Sequence, residues 1–129
     1  MILVDTSVWI DHLATGHPTL AALLERGQVV AHPWVIGELA QGQLSGRREV
    51  LGLLAQLPQA IVATTDEVLA FVERHELHGA GIGYVDAQLL AATKLTTGTA
   101  LWTKDRRLRT AAARLRCAVD PAALGSGRA

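Results

Sequence analysis

Four carboxylates occupy positions where an enzyme could use them, and these are Asp5, Glu38, Asp86 and Asp105. Two of them, Asp5 and Asp105, follow short apolar runs that are predicted to be buried strands, residues 2–4 and 100–103. The carboxyl ends of parallel strands meet at one edge of a sheet, and ligands bind at that edge. We therefore expect Asp5 and Asp105 to lie close together, although each would also serve as the N-cap of the helix that follows it.

Glu38 and Asp86 are predicted to lie on helices. Residues three and four apart share a helix face, so Glu38 should lie beside Trp34 and Val35 on an apolar stripe. A charge on a buried face costs several kcal/mol unless it is paired or binds a metal. A salt bridge to an arginine, or a place at the margin of the stripe, would also account for Glu38. Asp86 follows a glycine-rich loop in the first turn of a helix predicted over 84–95, where stabilisation by the helix dipole is the alternative explanation.

Such a set of acids predicts a particular chemistry. Four carboxylates near one sheet edge would repel one another strongly, and a divalent cation relieves that repulsion. Oxygen ligands suit Mg²⁺ or Mn²⁺, whereas zinc prefers histidine and cysteine. Carboxylate-held Mg²⁺ commonly serves phosphate chemistry, in which the ion stabilises the attacking and leaving oxygens. The pattern therefore predicts a metal-dependent enzyme that acts on a phosphate ester.

The elements that must position these acids alternate along the chain. Strands are predicted at 2–4, 28–31, 60–63, 100–103 and 117–119. Helices are predicted at 6–13, 18–26, 33–44, 84–95 and 106–115. Two more helices are predicted, one that follows Gly46 and ends near Pro58, and one that begins at an N-cap, Thr65, and ends near Leu77. This alternation predicts an α/β fold, a three-layer α/β/α sandwich with a mostly parallel central sheet. We expect one domain over residues 1–124 and a disordered tail over 125–129.

Composition restricts the function classes. The chain has 129 residues, half of them hydrophobic, one cysteine (Cys117) and a formal net charge of zero. A single cysteine allows no internal disulfide and fits a reducing compartment. The first residues carry acids and lack a basic segment, and no apolar run reaches the ~20 residues of a membrane span. We therefore expect a cytoplasmic protein with no membrane partner.

A neutral chain must bind nucleic acid through a local patch. Six of the twelve basic residues fall between positions 104 and 116. The residues nearest Asp105 are the candidates for contact with a nucleic-acid backbone, and these are Lys104, Arg106, Arg107 and Arg109. The alternative is a solvated helix face. The three tryptophans, Trp9, Trp34 and Trp102, lie in apolar segments and are predicted to be core residues rather than base-stacking platforms.

Four blocks of the sequence carry a resemblance to a known family. They are residues 4–10 (VDTSVWI), 32–39 (HPWVIGEL), 81–87 (GIGYVDA) and 101–105 (LWTKD). In this order and at this spacing the chain resembles PIN domains, and among them the VapC-type ribonuclease toxins of toxin–antitoxin pairs. The resemblance carries the family's acidic residues onto Asp5, Glu38, Asp86 and Asp105, and its supporting polar residue onto Thr103, with Ser7 as a second candidate.

The resemblance implies an Mg²⁺- or Mn²⁺-dependent endoribonuclease that cleaves RNA with metal-activated water. It also implies a homodimer and a cognate VapB-like antitoxin. A haloacid-dehalogenase-like phosphatase would need a second aspartate two residues after Asp5, where Ser7 stands. A phospho-acceptor receiver domain would need an early pair of acids that is absent. A non-catalytic PIN-like interaction module is the alternative from a different class.

Overall fold

The computed structural model describes residues 1–126 and contains a three-stranded sheet. The strands are β1 (Ile2–Val4), β2 (Val29–Val30) and β3 (Ala100–Trp102), in the order β2-β1-β3, and both pairings are parallel. In the central strand β1, Leu3 and Val4 are completely buried. The predicted α/β fold with a parallel central sheet is confirmed.

Helices make up most of the rest of the described residues. They are α1 (Thr6–Thr15), α2 (Pro18–Glu25), α3 (Pro33–Gln41), α4 (Arg47–Gln56), α5 (Thr65–Arg74), α6 (Tyr84–Leu95), α7 (Arg106–Arg114) and α8 (Pro121–Ser126). Most of these follow the prediction to within a few residues, but α8 was not predicted. No helix among residues 1–126 is long and apolar enough to cross a membrane.

Three helices begin at the carboxyl edge of the sheet. Asp5 is the N-cap of α1 after β1, His32 the N-cap of α3 after β2, and Asp105 the N-cap of α7 after β3. The strands run parallel and each helix begins just beyond its strand, so these N-termini share one edge. The edge therefore gathers the positive ends of three helix dipoles.

Helix α6 lies in the core. All residues from Ala87 to Thr93 are buried, and a helix that is buried on every side packs within the protein rather than on its surface. It contacts α5 and β3. The buried Thr93 hydroxyl donates a hydrogen bond to the carbonyl of Leu89 in the same helix at 2.7 Å. This packing holds the first turn of α6, which carries Asp86, in a defined place.

Two predicted strands are wrong. Residues 60–63 form no strand, and the pairing there is a single bridge between Ala31 and Gln59. Residues 117–119 also contribute only one bridge, from Ala118 to Leu101. The apolar run at 60–63 has a different cause, because Ala60 and Ala63 are buried against helices while the residues between them are exposed.

Two boundaries also differ from the prediction. Thr64, rather than Thr65, caps α5, and its hydroxyl and the Glu67 carboxylate form a reciprocal capping box. The tail predicted over 125–129 is described only at its start, where residues 125 and 126 belong to α8, and residues 127–129 lie outside the described residues. The predicted single domain over 1–124 stays a prediction.

Candidate active site

Asp5 is the buried centre of the site. Its side chain is 7% exposed at the end of β1. One carboxylate oxygen accepts from the backbone N–H of Thr6 at 2.8 Å, and the other accepts from the hydroxyls of Ser7 at 3.1 Å and Thr103 at 2.6 Å. A buried carboxylate is tolerated when hydrogen-bond donors satisfy it. Three donors therefore stabilise the negative charge of Asp5 without any cation.

Thr103 joins Asp5 to the neighbouring strand. Its hydroxyl donates to Asp5 and accepts from the backbone N–H of Asp105 at 3.0 Å. The Asp105 carboxylate caps α7 by accepting from the backbone N–H of Leu108 at 3.0 Å. Ser7 makes a second link between the strands, because its hydroxyl accepts from the backbone N–H of Lys104 at 3.1 Å. Two hydroxyls thus fix the turn after β3 against the end of β1.

Replacing Thr103 with valine is expected to destabilise the protein by about 1–3 kcal/mol, because the buried Asp5 carboxylate loses a donor and the Asp105 N–H loses an acceptor. Valine keeps the shape of threonine, so packing changes little. Urea denaturation measures the change in the free energy of unfolding. Thr103→Ser keeps the hydroxyl and is the control, and equal stability of the valine variant and wild type would show that the hydroxyl contributes nothing.

Asp86 enters the site from the first turn of α6. Its carboxylate accepts from the backbone N–H of Gly83 at 3.1 Å. Burial raises the pKa of the Asp86 carboxyl above its ordinary value, and the hydrogen bond from Gly83 partly offsets this. Other negative charges raise the pKa further, and these belong to Asp5, Asp105 and Glu38. The structure therefore brings the other three predicted acids within electrostatic reach of Asp86.

Glu38 is exposed, so its predicted burial on the apolar stripe of α3 is wrong. Val35 and Leu39 face the core, and Glu38 lies at the margin of their stripe. Its carboxylate accepts from the hydroxyl of Thr6 at 2.5 Å, next to Asp5 in the chain. The predicted alternative of an arginine partner also fails, because the one ion pair within residues 1–126 joins Lys104 to Asp11.

The residues fit a hard divalent cation by their chemistry. All four acids offer oxygen ligands, and none is neutralised by a basic side chain in the described part of the chain. Across residues 1–126, no three histidine, cysteine or acidic side chains stand close enough together to form a ready-made ion cage. The arrangement is a cluster of neighbouring acids rather than a closed ligand set.

Basic residues lie beside the acids on α7. Arg106, Arg107 and Arg109 are exposed, and Lys104 is engaged with Asp11. Arg107 lies directly over the loop before α6, because a Cβ atom at Gly81 would be 2.7 Å from its Cδ. Gly81 also has a φ of +79°, which favours glycine. The α7 basic residues are thus placed next to Asp105, and their contact with RNA stays a prediction.

Burial of residues near this edge differs in part from the prediction. Trp9 and Trp102 are buried as predicted, but Trp34 is 38% exposed, so its predicted core position is wrong. His32, two residues before Trp34, is completely buried. Its Nδ1 accepts from the backbone N–H of Trp34 at 3.0 Å. Its place directly before a proline at a helix start was the signal for this capping role.

Comparisons with known proteins agree with this geometry. The family model described as PIN domain matches residues 2–114. The curated protein "Ribonuclease VapC32" of Mycobacterium tuberculosis, in strains CDC 1551 / Oshkosh and ATCC 25618 / H37Rv, is 51% identical over 113 residues, which is 88% of this chain and 91% of that protein. Among solved structures, the crystal structure of FitAcB from Neisseria gonorrhoeae has a TM-score of 0.64 at 24% identity and covers 94% of this chain and 98% of that one. That likeness shows a shared fold.

Proposed function

The chain belongs to the PIN-domain family, and from that premise we propose that it is a divalent-metal-dependent endoribonuclease. The observation that carries the proposal is that Asp5 and Asp105 at strand ends and Glu38 on α3 all lie within electrostatic reach of Asp86 in the first turn of α6, with no basic partner among the described residues. The similarity to a curated protein named as a ribonuclease supports RNA as the substrate class. The proposed reaction is hydrolysis of a phosphodiester bond at this cluster.

The four acids are proposed to divide the work. Asp5 and Asp86 would hold the principal cation, Asp105 would complete or modulate that site, and Glu38 would support it or a second ion, or help to position the attacking water. A bound divalent cation supplies electrostatic stabilisation of the phosphate and lowers the pKa of water. Ser7 and Thr103 are positioning residues, because their hydroxyls hold the Asp5 carboxylate in one orientation.

Backbone contacts with RNA are proposed for the basic side chains of α7 and the turn before it, Lys104, Arg106, Arg107 and Arg109. They lie beside Asp105, and the formal net charge of the chain is zero, so a local patch must attract the phosphates. Lys104 would have to exchange its partner Asp11 for a phosphate. Arg107 needs no such exchange.

The chain is further proposed to be a cytoplasmic, homodimeric toxin with a cognate VapB-like antitoxin, as the resemblance implies. Two adjoining clefts of about 420 and 450 Å³ support a partner-binding groove beside α1 and α4. They share Leu13 and Val50, and exposed Ile10 and Leu53 lie at them. An amphipathic helix of a partner would bury these apolar side chains.

Family membership removes the phosphatase and receiver-domain interpretations, and one assay separates the enzyme from a non-catalytic module. Purified protein is incubated with total RNA in the presence of Mn²⁺, Mg²⁺ or EDTA, and with single-stranded DNA in parallel. We expect RNA cleavage with either ion and none with EDTA. Absence of cleavage, together with no rise in melting temperature on adding Mn²⁺, would identify a non-catalytic module. Preferential cleavage of DNA would overturn the proposed substrate class.

A further inference from the structure

Two aromatic rings are exposed side by side at the site edge. Trp34 at the start of α3 is 38% exposed, and Tyr84 at the start of α6 is 40% exposed. Their ring centroids are 5.6 Å apart and their planes are inclined by 58°. Exposed aromatic surface is unfavourable in water, so a pair of rings in contact outside the core is informative about binding. Trp34 and Tyr84 are called the aromatic platform below.

Buried polar groups hold the aromatic platform in place. The Tyr84 hydroxyl accepts from the side-chain amide of Gln88 at 3.0 Å, and Gln88 is only 2% exposed. The backbone N–H of Trp34 donates to Nδ1 of the completely buried His32. The Tyr84 ring is therefore anchored through its hydroxyl and the backbone at Trp34 is fixed, so less entropy is lost when a ligand packs on the platform.

The aromatic platform adjoins the acids. Trp34 lies one helical turn before Glu38 on α3, and residues four apart share a helix face. Tyr84 is the first residue of α6, and Asp86 lies in the same turn. The Asp86 carboxylate accepts from the backbone N–H of Gly83, the N-cap of that helix. A nucleic-acid strand with one phosphate at the carboxylates would thus have a neighbouring base within reach of the rings.

We propose that the aromatic platform binds a base of single-stranded RNA by stacking and so positions the phosphodiester beside it for cleavage; this rests on the proposed function. Single-stranded RNA is recognised by stacking of unpaired bases on aromatic side chains. A base suits this place better than a second protein copy does. The core of a protein–protein interface is depleted of charged residues, whereas Glu38 and Asp86 border these rings.

Kinetics of RNA cleavage test the proposal first. Stacking contributes enough per base that Trp34→Ala and Tyr84→Ala should each raise KM about tenfold with a much smaller change in kcat. Trp34→Phe and Tyr84→Phe keep a ring and should retain most of the wild-type KM. Ile61→Ala is the matched control, because Ile61 is exposed and its backbone bonds Thr96 at the opposite end of α6 from Tyr84. An unchanged KM in both alanine variants would overturn the proposal.

Tryptophan fluorescence gives a readout that does not depend on cleavage. Trp9 and Trp102 are buried, so a change in tryptophan emission on stacking of a ligand comes from the exposed Trp34. In the Asp5→Asn background with Mg²⁺, short oligoadenylate should quench the emission, while an abasic oligonucleotide of equal length should not. Adding Trp34→Phe should abolish the quenching. Equal quenching by both oligonucleotides, or none by either, would contradict base stacking.

Sedimentation separates the remaining outcome, in which a second copy of the chain covers the rings. We expect Trp34→Ala to keep the oligomeric state of wild type. Suppose that Trp34→Ala changes the oligomeric state and that the abasic oligonucleotide quenches the emission as much as oligoadenylate does. This result would assign the aromatic platform to a subunit interface and overturn the proposal. Failure of the proposed function is distinguishable, because wild type would then cleave no RNA while the fluorescence assay would still report whether bases bind.

Discussion

Replacing Asp5 with asparagine is expected to reduce RNA cleavage by at least about 100-fold, because a ligand charge worth several kcal/mol of transition-state stabilisation is lost. The fold should survive. Asparagine caps helices as well as aspartate does, so the bond to the Thr6 N–H persists. The hydroxyls of Ser7 and Thr103 rotate and are able to accept from the new amide. Initial rates with Mn²⁺ and total RNA measure the effect.

The matched control for this experiment is Asp66→Asn. Asp66 is an exposed acid in the first turn of α5, outside the acidic cluster. It should leave the cleavage rate unchanged. Circular dichroism and urea denaturation should place the Asp5 variant within about 1 kcal/mol of wild type. A folded Asp5→Asn protein with full activity would refute the role proposed for Asp5.

Replacing Asp86 with asparagine is expected to abolish cleavage and to make the metal-free protein more stable at neutral pH. Burial and the neighbouring acids raise the pKa of the Asp86 carboxyl, so the folded state favours its protonated form. Folding stability therefore falls as pH rises from the ordinary carboxyl pKa through the raised one, and the whole penalty is present above it. Asparagine has no charge to lose and still accepts from the Gly83 N–H.

Thermal unfolding in EDTA across the acidic and neutral range checks this sign. Wild type and Asp86→Asn should converge at low pH, and the variant should melt higher as the pH approaches neutrality. Adding Mn²⁺ should raise the melting temperature of wild type much more than that of the variant, since an ion bound to the folded state stabilises it. Lower stability of the variant at every pH would mean that the Asp86 charge is favourable in the folded protein.

These two experiments together test the electrostatic cost of the acidic cluster. Unpaired acids close together are expected to destabilise the metal-free protein, and the proposed cation would relieve their repulsion when it binds. Asp5 and Asp86 differ in this respect. Three hydrogen-bond donors satisfy the Asp5 carboxylate. The Asp86 carboxylate accepts from one backbone N–H and is repelled by the other acids. Removing the charge of Asp86 should therefore remove more electrostatic repulsion than removing the charge of Asp5.

Local patterns were sufficient to predict where Asp5 and Asp105 lie. Each follows a short apolar strand, and parallel strands end at a common edge, so two residues separated by almost the whole chain were expected to be neighbours. The hydroxyl of Thr103 between them confirms this placement. The helix of Asp86 was also predictable, because its glycine-rich entry and apolar length are strong local signals.

Burial at the rim of the site was beyond such patterns. Periodicity indicates which face of a helix is apolar, but it does not indicate whether a neighbour covers the ends of that face. Trp34 lies in the first turn of α3, where the helix reaches the sheet edge, and it is exposed. His32, two residues earlier in the chain, is completely buried. The apolar run at 60–63 was predicted to be a strand for a similar reason. Buried alanines outside a sheet give the same short apolar pattern in the sequence as a buried strand does.

The parallel α/β fold and the family follow from the sequence alone, because local propensity and motif spacing are properties of the residues themselves. The hydrogen bond from Thr103 to Asp5, the burial and neighbouring charges that raise the pKa of Asp86, and the exposed contact between Trp34 and Tyr84 come only from the folded chain. Each of them joins residues distant along the chain, and such contacts arise from how helices and strands pack rather than from what any one segment prefers.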